Sequence, residues 1–69
     1  MEITREFLKS LDFRVFTRLD YEGFGGVDSP VPLIAYYEGL AVIIDGSVCD
    51  VYDENMESIA LCWNISLLP

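Results

Sequence analysis

Two short turn signals govern what this chain can become. Glu38-Gly39 separates the apolar run Leu33–Tyr37 from Leu40–Ile44, and Asp45-Gly46 separates Leu40–Ile44 from Ser47–Tyr52. Asp-Gly between two apolar runs marks a two-residue hairpin, because a type I′ turn needs positive φ at both central positions. Three strands are thereby tied antiparallel, each to the next. Asp53-Glu54-Asn55 suits a three-residue loop with a left-handed third residue, and Ser58–Ile65 reads as the following strand.

Upstream, the chain alternates over Phe13–Glu22. Phe13, Val15, Thr17, Leu19 and Tyr21 share one face; Arg14, Phe16, Arg18, Asp20 and Glu22 share the other. This period of two predicts a half-buried strand. Residues 3–11 instead carry Ile3, Phe7, Leu8 and Leu11 at helical spacing, with Thr4 as N-cap. Such a helix is too short to stand alone and needs a sheet to dock on. The run Gly23-Phe24-Gly25-Gly26-Val27-Asp28-Ser29-Pro30-Val31-Pro32 has neither period and reads as a connector.

The expected fold is α+β: one short N-terminal helix packed on a five-stranded antiparallel meander, as an open sheet or a small barrel. With 69 residues, the chain forms one domain, 1–69, near the lower limit for an independent core. The turns predict a register. A loop at Asp45-Gly46 pairs Ile44 with Ser47 and Val42 with Cys49, and a loop at 53–55 pairs Tyr52 with Met56 and Cys49 with Ile59. One face then carries Leu40, Val42, Ile44, Cys49, Val51, Ile59, Leu61 and Trp63. The other carries Ile43, Val48, Ala60 and Cys62, which places Cys49 and Cys62 on opposite faces as free thiols. The second face needs cover from the helix, from barrel closure or from a homodimer.

Chemistry enters through charge. The formal net charge is −8, and it is unevenly placed. Arg5, Lys9, Arg14 and Arg18 are the only cations, opposed in that stretch by Glu2, Glu6 and Asp12. Residues 19–69 hold nine acidic residues (Asp20, Glu22, Asp28, Glu38, Asp45, Asp50, Asp53, Glu54 and Glu57) and no Lys or Arg. An acidic surface repels DNA, RNA and anionic membranes, so neither nucleic acid nor membrane is an expected direct partner. The chain has no His, which removes imidazole bases, His-dependent triads and imidazole metal ligands. Asp50-Val51-Tyr52-Asp53-Glu54-Asn55 departs from the EF-hand spacing, the cysteines lack C-x-x-C spacing, and Gly23-Phe24-Gly25-Gly26 lacks the Lys of a phosphate loop. No cofactor, no metal and no enzyme activity are expected. The N-terminal residues lack a basic start followed by an apolar run, and no apolar run spans a bilayer, so the expected location is the cytoplasm.

What remains is an acidic, tyrosine-bearing β-surface. Side chains two apart on a strand stand about 6.6 Å apart on one face. On the expected strands Asp20 pairs with Glu22 and Asp50 with Tyr52, while Asp53, Glu54 and Glu57 sit at the adjoining hairpin end. Asp20, Glu22, Asp50, Tyr52, Asp53, Glu54 and Glu57 are therefore the expected partner-binding residues, and the expected partner is a basic nucleic-acid-binding protein or complex.

In size, acidity, absence of cations and lack of catalytic groups, the chain resembles small DNA-mimic inhibitors of phage or mobile-element origin, of the anti-restriction or anti-CRISPR type. The resemblance is one of overall character and carries no motif. It implies a non-enzymatic inhibitor acting in the cytoplasm of the host cell. Two other readings stand beside it: a small structural or assembly subunit, homo-oligomeric through Ile43, Val48, Leu67 and Leu68, and an immunity protein or antitoxin for a basic toxin.

Overall fold

The computed structural model describes residues 1–25 and 31–69. In chain order the elements are helix α1 (Arg5–Lys9), strand β1 (Arg14–Val15), helix α2 (Arg18–Gly23), strands β2 (Leu33–Tyr37), β3 (Leu40–Asp45), β4 (Val48–Tyr52) and β5 (Ser58–Cys62), and a 3-10 turn (Ile65–Leu67). The strands form one antiparallel sheet in the order β1-β2-β3-β4-β5. The sheet is open, with β1 and β5 at its edges, so barrel closure does not occur among the described residues.

The first correction concerns Phe13–Glu22. Only Arg14–Val15 is strand; from Arg18 the chain turns helical. A capping box decides this. The Thr17 side chain accepts from the Asp20 backbone N–H, and the Asp20 carboxylate accepts from the Thr17 N–H at 2.7 Å. Two of the orphan donors at the helix start are thereby satisfied, and this local bonding outweighs the apolar alternation. The predicted connector begins one residue later than expected, since Gly23 closes α2; its residues 26–30 lie outside the described residues.

The hairpins follow their turn chemistry with shifted registers. Tyr37 faces Leu40 across Glu38-Gly39, whose φ values of 47° and 79° are both positive, as type I′ requires. The β3–β4 turn is one residue later than the Asp-Gly signal. Asp45 pairs with Val48, so Gly46 and Ser47 are the turn residues, and only Gly46 has positive φ. Ile44 then faces Cys49 instead of Ser47, and Val42 faces Val51. The partners move by two positions, an even step, so the faces of β3 and β4 are as expected.

At β4–β5 the shift is odd. Cys49 faces Cys62 and Val51 faces Ala60, with a bulge at Val51/Tyr52. The loop runs longer than three residues, because the Asp53 backbone closes onto Glu57 and the left-handed residue is Met56 instead of Asn55. An odd step turns a strand over. Ala60 and Cys62 therefore join Cys49 and Val51 on one face, and Ile59 and Leu61 point to the other, the reverse of the predicted arrangement.

Each face of the sheet has its own apolar cluster. On one, Val42, Cys49 and Val51 pack with Ile3, and Phe7, Leu8, Leu11, Ala60, Cys62, Ile65 and Leu68 close around them. On the other, Ile34 and Ala41 pack with Phe16, beside Tyr21, Phe24, Ile43 and Tyr52. Phe16 meets Tyr21 edge-on at 4.6 Å between ring centroids, and Phe24 meets Tyr52 at 5.1 Å. The expected N-terminal helix is α1, with Thr4 as its N-cap and Phe7 and Leu8 at the first cluster; α2 is a second short helix, with Tyr21 at the other cluster.

Candidate functional site

The acidic residues fall into two settings. The first is built around Asp20, which is 6% exposed at the start of α2. Arg14 of β1 donates to both its oxygens at 2.9 Å, the Tyr36 hydroxyl donates at 2.6 Å, and the Thr17 hydroxyl donates at 2.7 Å. The Arg14 guanidinium also lies over the Tyr36 ring, 5.5 Å from its centroid. Burial alone would raise the carboxyl's pKa, but the hydrogen bonds from Arg14, Tyr36 and Thr17 outweigh it and hold Asp20 well below the usual carboxylate range. Burial and the bond to Asp20 push the Tyr36 phenol up. Asp20 therefore fastens α2 to β1 and β2, and its oxygens do not belong to the exposed carboxylate array. Glu22 sits two positions on along α2, on a different side of the helix from Asp20, and pairs with Arg18 at 3.3 Å in the open.

The second setting is the end of the sheet where the β4–β5 loop and the β2–β3 turn meet. Asp53 organises the loop: its Oδ1 accepts the backbone N–H groups of Asn55 at 2.8 Å and Glu57 at 3.0 Å. Glu54 and Glu57 project from it, exposed. A Cβ placed on Gly39 would meet the Glu54 side chain at 3.2 Å, so the turn bearing exposed Glu38 lies directly against the loop. The end of α2 approaches from the opposite sheet face, with Gly23 beside the Met56 methyl group. Glu38, Asp53, Glu54 and Glu57 are thus gathered at one end, and Glu38 is the member the sequence reading left out. Nothing near position 38 in the chain signals this; the juxtaposition is made by two loops far apart in sequence.

Asp50 and Tyr52 stand inward of that end on β4. Asp50 accepts from the Ser58 hydroxyl at 2.5 Å, and burial together with its hydrogen bond to Asp50 raises the Tyr52 phenol. A cavity of about 250 Å³ opens beside them, with Phe16, Phe24, Ile43 and Tyr52 in its walls and Asp45 and Asp50 in its lining. Asp50 faces Leu61 across the strands. Ile59 and Leu61 are 44% and 45% exposed, and Trp63, just past β5, is 75% exposed. The cover provided by Phe16, Tyr21 and Phe24 stops at Tyr52 and leaves this edge open. Of the four residues expected to form an assembly interface, Leu67 is exposed, while Ile43 and Leu68 belong to the two clusters and Val48 is half-buried.

Among the described residues, no three Cys, Asp or Glu side chains come together in an arrangement that could hold a metal ion, and no helix is long and apolar enough to cross a membrane. No protein-family model matches the chain, and neither a curated protein nor a solved structure is significantly similar to it.

Proposed function

We propose that this chain is a non-enzymatic binding protein whose acidic end occupies the basic, nucleic-acid-binding surface of a partner, as a DNA mimic of the anti-restriction or anti-CRISPR kind acting in the cytoplasm of a host cell. One observation carries the reading: Glu38, Asp53, Glu54 and Glu57 converge from two loops in a region with no cation of its own, since residues 19–69 contain none. Of the upstream cations, Arg14 and Arg18 are already engaged with Asp20 and Glu22. Uncompensated carboxylates on a stiff hairpin end present the charge that a phosphate-binding groove is built to receive, and they steer association over a distance set by salt. Inward of them, a cavity that runs from Tyr52 and Asp50 toward Asp45 and Val48 offers aromatic walls and carboxylates suited to the aliphatic stem and charged head of a Lys or Arg from the partner. A toxin-neutralising immunity protein would use the same surface.

The open β5 edge favours a second reading, a homo-oligomeric or assembly subunit. Ile59 and Leu61 on the edge strand β5, with Trp63 just past its end, are exposed apolar side chains beside an open strand edge, the kind of edge that recruits another chain.

Capture from a host lysate separates the two. Immobilised wild-type chain is compared with the E38K/E54K/E57K variant at low and high salt. The proposal expects nucleic-acid-binding proteins to be retained by the wild type at low salt and released at high salt, and not to be retained by the variant. Retention that ignores both salt and the three reversals overturns it, and a salt-insensitive complex of the chain with itself supports the assembly reading.

A further inference from the structure

The β4–β5 register sets Cys49 directly opposite Cys62, with both side chains on one face of the sheet and both thiols free. Facing residues of an antiparallel pair have Cα atoms about 4.5–5.5 Å apart, inside the span that a disulfide bridges. The two thiols differ in access. Cys49 is wholly buried in the cluster with Val42 and Val51, and Ile44 faces it from β3, whereas Cys62 is half-buried on the edge strand.

We propose that Cys49 and Cys62 are a dithiol modification site, converted to an intrachain disulfide by a low-molecular-weight disulfide such as oxidised glutathione, with Cys62 reacting first. Access sets the order. Cys62 gives up its proton, and its sulfur attacks one sulfur of the oxidant. The oxidant's S–S bond breaks, one glutathione leaves as a thiol, and a mixed disulfide remains on Cys62. Cys49 then loses its proton and attacks the Cys62 sulfur from across the strands, releasing the second glutathione thiol. Two protein thiols are oxidised and one small disulfide is reduced, so atoms and electrons balance. Burial, helped by Cys62 and Asp50, pushes the Cys49 thiol up to about 11, which keeps it inert toward oxidant in bulk and leaves the neighbouring mixed disulfide as its target. The product bolts the edge strand to β4 and closes the hairpin that carries Asp53, Glu54 and Glu57. The inference does not depend on the proposed partner.

Met56 lies between the two cysteines, so cyanogen bromide cleavage after it reads the link directly. The full chain is incubated folded with oxidised glutathione, blocked with an alkylating agent, cleaved and weighed without reduction. The proposal expects a monomer lighter by two hydrogens whose fragments on either side of Met56 stay joined until a reductant is added. C49S is expected to stop at a stable glutathione adduct on Cys62, and C62S to remain unmodified. The wild-type arm requires no variant to fold. Two unreacted thiols in the oxidised wild type, a persistent Cys62 adduct in it, a link between two chains, or reaction of Cys49 in C62S would each overturn the proposal.

Discussion

Asp20 and Glu54 are both carboxylates in the cation-free part of the chain, yet the fold gives them opposite fates. Asp20 is buried, held by Arg14, Tyr36 and Thr17, and set at the joint between α2 and the sheet. Glu54 is exposed on a loop, with Glu38 and Glu57 for neighbours. The first charge serves the fold, because a buried carboxylate is tolerated only when its lone pairs are filled. The second lies against the Gly39 turn, and its charge stands beside other exposed carboxylates, which adds self-repulsion. Acidity counted along the sequence merges these two roles, and burial separates them.

Substitution sharpens the contrast, and D20A is expected to have the largest effect. It leaves the Tyr36 hydroxyl and the Thr17 N–H without their acceptor and removes half of the capping box, which costs about 2–3 kcal/mol. Urea unfolding checks this, and loss below 0.5 kcal/mol would mean that the joint is not formed. The same residue sets an acid limb. Its folded pKa lies below its unfolded value near 3.9, so the unfolded state binds more protons as acid is added. The stabilisation is complete above about pH 4 and is lost as pH falls further, and thermal melts from pH 5 to pH 2 should show a shallower decline in D20A than in wild type.

G39A comes next, at about 1 kcal/mol. The position has φ +79°, and its new Cβ would press on the Glu54 side chain, so the melting temperature should fall while α2 is untouched. The smallest effect has the opposite sign. E54Q with E57Q relieves like-charge repulsion at the acidic end and should stabilise the fold by about 0.3 kcal/mol at low ionic strength, a gain that disappears when salt is added. A pronounced destabilisation in that double variant would erase the distinction between the two regions.

Much of the sheet was legible because turn chemistry is local. Gly39 and Gly46 mark their turns in the sequence, and the faces of β3 and β4 follow from them, while the positive φ of Glu38 is set by the turn and not by its residue type. Two features were not. Phe13–Glu22 alternates well enough to imitate a strand, and the Thr17-x-x-Asp20 box that makes it a helix lies inside that alternation. The orientation of β5 depends on one bulge and on which residue of the 53–57 loop turns left-handed; Asn55 was the expected choice by preference, and Met56 is the residue found there. For the site, Asp53, Glu54 and Glu57 could be grouped because they are adjacent in sequence. Glu38 could not, since only the packing of the turn against the loop brings it in, and Asp20 was misplaced because its burial is a tertiary property.

On the proposed function, the exposed carboxylates, and not the buried one, stand in for nucleic-acid phosphates. The most direct measurement is a competition titration on a purified captured partner, with duplex DNA displacing the labelled chain. Mutually exclusive binding is the expected result: DNA releases the chain completely, and E38K/E54K/E57K weakens its affinity by about tenfold or more without unfolding the chain. A ternary complex in which partner, DNA and chain are bound together would contradict it.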